Sequence, residues 1–93
     1  MSEHLVLKVY IAGMTPAARR AIRNLETACA KYSNHHTYSI DVINILEHPQ
    51  LAEQEKILAT PTVVKELPAP IKRVVGDLSE VDQLLVGLDL VPD

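Results

Sequence analysis

The chain has 93 residues, 47% of them apolar and 23% charged, with a net charge of −3 and one cysteine. That is the composition of one folded domain, not of a disordered or collagen-like chain. It excludes an intrachain disulfide and, with no apolar run near 20 residues, a membrane span. Nucleic-acid binding needs a dominant basic face and stacking aromatics, and the chain offers neither, with three Tyr and no Phe or Trp.

Leu5 to Ala12 (LVLKVYIA) is rich in branched and aromatic residues and stops at Gly13, which predicts a largely buried strand. Thr15-Pro16 supplies a hydroxyl N-cap and a proline at the first helical position. Ala18, Ala21, Ile22, Leu25, Ala28, Cys29 and Tyr32 then recur at spacings of three and four, the apolar face of a helix. Tyr38 to Ile45 alternates Tyr38, Ile40 and Val42 inward against Ser39 and Asp41, a second strand parallel to the first in a βαβ unit. A short helix is expected from Pro49 to about Ile57, then strands Val63–Leu67 and Ile71–Val75 joined by Pro68-Ala69-Pro70 as a hairpin. Ser79 is the candidate N-cap of a last segment, Glu80 to about Val91. The order βαβαββα is that of a thioredoxin-like α/β domain, with helices on both faces of a mixed four-stranded sheet.

The last segment satisfies two periods. As a helix its face is Val81, Leu84, Leu85 and Leu88; as a strand it is Leu84, Val86, Leu88 and Leu90. Gly87 weakens the helix by about 1 kcal/mol relative to Ala. The sequence leaves both packings open.

Charge is unevenly spread: residues 1–36 carry five Lys/Arg against two acids, and residues 37–93 carry four against ten. This dipolar distribution suits a protein partner. Arg19, Arg20 and Arg23 with Lys8 form one candidate docking patch, and Lys56, Lys72 and Arg73 a second. The site of a thioredoxin-type Cys-x-x-Cys reads Gly13-Met14-Thr15-Pro16, so dithiol–disulfide exchange is excluded, and no catalytic set remains. Cys29 falls on the apolar face of its helix, where an inert thiol that fits a reducing cytoplasm is expected. Pro61, in Thr60-Pro61-Thr62, takes the place of the cis-proline of thioredoxin-like domains. Asp77-Leu78-Ser79 loosely matches the last-helix end of a glutathione site, which keeps a glutathione-binding protein without dithiol activity as the alternative function. His4, His35, His36 and His48 lack metal-ligand spacing, no cofactor fingerprint is present, and the N-terminus reads as no signal peptide.

Leu7 to Pro16 (LKVYIAGMTP) and Gln50 to Asp89, with KILATPT, LPAPIKRVVGDLS and GLDL, resemble the KaiB family of bacterial circadian clock proteins. The resemblance implies a non-enzymatic cytoplasmic protein that binds the N-terminal ATPase ring of KaiC and acts with KaiA or a SasA-type kinase pathway. It also implies a metamorphic domain. The first half, to about residue 46, keeps its topology; residues 47–93 pass between βαββααβ, usually in a homotetramer, and a monomeric, KaiC-binding βαβαββα. By the same resemblance Lys56 faces KaiC, Arg20, Arg23, Lys72 and Arg73 are partner-binding, and substitutions at Gly87 and Asp89 favour the binding fold. The helix propensity gained by Gly87→Ala points in that direction.

Overall fold

The computed structural model describes residues 4–32, 37–76 and 80–90. Its element order is β1 (His4–Ile11), α1 (Pro16–Tyr32), β2 (Thr37–Asn44), α2 (Pro49–Gln54), β3 (Thr62–Leu67), β4 (Lys72–Val75) and α3 (Val81–Gly87). This is βαβαββα, so the last segment takes the helical of its two periods. The strands lie in the order β2-β1-β3-β4, with β1 parallel to β2 and antiparallel to β3, and β3 antiparallel to β4.

The period-two alternation of β1 divides the molecule. Leu5, Leu7, Val9 and Ile11 enter one core with Ala18, Ala21, Leu25, Ala28 and Cys29 of α1, Val63 of β3, and Leu84, Leu85, Leu88 and Leu90 at the C-terminal end. Three alanines on the inner stripe of α1 keep that helix close to the sheet. The helix starts as its sequence requires, with the Ala18 amide donating to Thr15 Oγ1 at 3.1 Å. At seven residues, α3 is too short to be stable by propensity and depends on this packing.

Three expectations differ from the structure. The sheet is not covered evenly: α1 and α3 share one face, while α2 has six residues and buries none of them. β2 also turns less of its inner side to the core than its alternation implied. Ile40 packs against the core, but Tyr38 and Val42 are 40% and 44% exposed, because β2 is an edge strand. The last helix is shorter than expected and is capped at Glu80, with no side-chain hydrogen bond. Ser79 lies outside the described residues.

Candidate functional site

The face of the sheet opposite α1 carries the chemistry. Register places Asp41, Lys8, Val64 and Arg73 in one row across all four strands, with Tyr10 and Thr62 in the row beside it. Pairing between β1 and β3 shifts at Val6/Leu7, which leaves Glu66 as the extra residue of a bulge. The Glu66 carboxylate meets Lys8 Nζ at 2.9 Å. That hydrogen bond holds the Lys8 ammonium above the usual lysine range, against the opposing effect of partial desolvation. Tyr10 is 2% exposed. Burial pushes its phenol up, and the Glu55 carboxylate adds to the shift.

Arg73 ties this face to the exit of α2. Its Nη2 donates to the Glu55 carbonyl at 2.5 Å and its Nη1 to the Lys56 carbonyl at 3.4 Å, with the Glu55 carboxylate 3.9 Å away. Lys56 sits in the left-handed region at φ 55°, which turns the chain sharply out of the helix. Leu58, two residues on, is 96% exposed. A second tie follows where the Gly76 amide donates to the Pro61 carbonyl at 3.0 Å, and the Thr60–Pro61 bond is cis.

The structure regroups the basic residues. Lys8 does not join Arg19, Arg20 and Arg23, because the arginines lie on the exposed side of α1 and α1 covers the opposite face of the sheet. Nor do Lys56, Lys72 and Arg73 form one patch. Strand alternation sends Lys72 to the side of its register partner Lys65, away from Arg73. Lys8 and Arg73 share the outer face, where Arg73 meets the Lys56 carbonyl and Glu55 and Glu66 interleave with the two cations. The two glutamates and Tyr10 escape a sequence reading, since pairing across β1, β3 and the α2 exit has no signature in linear spacing.

In the β1–α1 turn, Gly13 has φ +79° and its amide donates to Asn44 Oδ1 at 3.1 Å; Met14 projects outward. Cys29 is fully buried, and burial, with Glu26 adding to it, pushes the thiol up to about 12. His4 Nδ1 lies 2.7 Å from Thr37 Oγ1. No group of three or more His, Cys, Asp or Glu among the described residues could hold a metal ion, and no described helix is long and apolar enough to cross a membrane. His35, His36, Asp77 and Ser79 lie outside the described residues, and with the last two the acidic end of the candidate glutathione site.

Gly87 and Asp89 close α3. The Asp89 amide donates to the Val86 carbonyl at 3.1 Å and the Leu90 amide to the Leu85 carbonyl at 2.7 Å, with Asp89 left-handed at φ 60°. This is a Schellman ending with Asp where Gly is usual, fixed by burial of Leu90. Gly87 answers to packing as well as propensity. An alanine Cβ there would lie 2.5 Å from Val74 Cγ2. The close approach of α3 to β4 therefore opposes the gain expected from Gly87→Ala.

The fold resembles the N-terminal domain of Synechococcus elongatus SasA, at a TM-score of 0.78 and 24% identity, with all of this chain and 90% of that one covered. It also resembles chloroplastic thioredoxin z, at a TM-score of 0.70 and 19% identity over 92% and 76% of the two chains. In sequence, the chain is 48% identical to the circadian clock oscillator protein KaiB of Gloeothece citriformis, over 95% of this chain and 82% of the relative. It is 49% identical to that of Thermosynechococcus vestitus, over 92% and 79%. Residues 8–90 match the family model described as the KaiB domain. The match takes in both halves of the sheet and all three helices, and the chain belongs to the KaiB family.

Proposed function

We propose that this chain is a non-enzymatic timing protein of the cytoplasm that binds the N-terminal ATPase ring of KaiC and regulates its phosphorylation cycle. The observation that carries the reading is the identity of nearly half over most of the chain with circadian clock oscillator proteins. The SasA-like order βαβαββα is the arrangement in which docking takes place. A resting homo-oligomer with order βαββααβ exchanges with it by refolding of residues 47–93, while residues 1–46 keep their topology. Two features support the exchange: the double periodicity of residues 81–90, and a seven-residue α3 that ends on a left-handed Asp. Lys56 faces KaiC, with Arg73 beside it at the exit of α2; Lys8, Arg20, Arg23 and Lys72 serve partner surfaces for KaiC, KaiA or a SasA-type pathway.

Under this mechanism the apparent affinity is the intrinsic affinity reduced by the fraction of binding-competent monomer. The test is co-elution with the cognate KaiC across its nucleotide and phosphorylation states. A complex in at least one state, weakened by Lys56→Gln, is expected. Failure to co-elute in every state would overturn the proposal.

A further inference from the structure

By sequence Arg73 falls with the basic docking residues, but its guanidinium is spent within the chain. It reaches two consecutive main-chain carbonyls, Glu55 and Lys56, at the point where α2 ends and the backbone turns left-handed. A planar fork can engage two adjacent carbonyls together, which a lysine ammonium on a flexible stem cannot reproduce. The Glu55 carboxylate lies close enough to keep the guanidinium oriented. Beyond this point, Lys56 and Leu58 project outward with no side-chain partner seen among the described residues. α2 buries no residue of its own, so core packing does not fix this exit. Among the described residues the other ties are local, Glu55 N to Leu51 O, Lys56 N to Glu53 O, Ile57 N to Ala52 O and Thr62 Oγ1 to Ala59 O, with the Gly76–Pro61 bond further on.

We infer that Arg73 is a positioning residue: it clamps the exit of α2 to β4 and so presents Lys56 and Leu58 to the partner, without itself supplying the docking charge. The inference rests on the proposal that Lys56 faces KaiC. Its structural half is independent of any partner.

The experiment compares the full chain with Arg73→Lys, Arg73→Gln and, as a control on the neighbouring residue, Lys72→Gln. Amide hydrogen exchange is read at Glu55 and Ile57, with Leu7 and Val9 of β1 reporting global stability, and the Kd for KaiC is measured on the same proteins. Both Arg73 variants are expected to speed exchange at Ile57 about tenfold, the scale of one or two charge-assisted hydrogen bonds at a half-exposed site, with β1 unchanged. Both should weaken KaiC binding by a similar factor, and Lys72→Gln should leave Ile57 exchange unchanged. Unchanged exchange in the two Arg73 variants would overturn the clamp. So would wild-type affinity in Arg73→Lys beside a loss in Arg73→Gln, because charge alone would then suffice. If the wild-type chain fails to bind KaiC, the functional proposal falls, and the exchange data still decide the clamp.

Discussion

Replacing Gly87 by alanine sets helix propensity against packing, and the two act in opposite directions. In an exposed helix interior the change is worth about 1 kcal/mol in favour of Ala, and less at the last helical position. Against it stands a new Cβ 2.5 Å from Val74 Cγ2, well inside the 3.5–4.0 Å at which carbon atoms attract. Val74 is β-branched and stiff at χ1, and its backbone is held in register with Val63. Relief needs an off-rotamer Val74 or a shift of α3 away from β4, in the range of about 1–3 kcal/mol typical of overpacking. The net expectation is that Gly87→Ala destabilises the βαβαββα state by about 1 kcal/mol. In a Val74→Ala background the obstruction is gone, and the same change should stabilise by a few tenths to about 1 kcal/mol. Urea unfolding of the four proteins of this double-mutant cycle, at concentrations where the chain is monomeric, measures the coupling. The expected coupling is about 1–2 kcal/mol; equal effects of Gly87→Ala in both backgrounds would refute the packing argument.

Asp89 places a negative charge at the carbonyl end of α3, and Asp89→Asn keeps its tolerance of the left-handed region while removing the charge. A gain of about 0.5 kcal/mol at low salt, shrinking at high salt, is expected; a salt-independent change would point away from the helix dipole. The raised thiol of Cys29 predicts loss of stability with alkali. Its contribution is complete below the ordinary value of 9.0 and is lost as pH rises toward about 12, because the unfolded chain releases its proton first. Lys8 and Tyr10 are raised too and add in the same direction. Cys29→Ala should lower the alkaline slope by up to about 1.4 kcal/mol per pH unit, and an unchanged slope would contradict this. Iodoacetamide should label native Cys29 far more slowly than the unfolded chain; equal rates would show that the thiol is not protected.

Patterns that live within one element were legible in the sequence. The alternation of β1, the threefold and fourfold spacing along α1 and the Thr15-Pro16 start are set by backbone periods and capping chemistry. All three reappear in the structure within about a residue. The motifs from Lys56 to Leu90 identified the family for the same reason, as runs readable in one dimension. The ambiguity at residues 81–90 was also legible, because a run of apolar residues broken by Gly87 fits two periods equally well.

The choice between those periods needed tertiary structure. Burial of Leu84, Leu85, Leu88 and Leu90 against α1 and the sheet selects the helix, and the approach of Val74 gives Gly87 a second reason to be glycine. The grouping of charges was likewise decided in three dimensions. Strand alternation and register separate Lys8 from the α1 arginines, and Lys72 from Arg73, then bring Lys8 to Glu66 and Arg73 to the exit of α2. One residue of register moves a side chain through the sheet, so neighbours in sequence become strangers and residues far apart become partners. The sequence alone determined the first six elements and the family; only the packed structure chose the helix at the C-terminal end and decided which charged groups share a face.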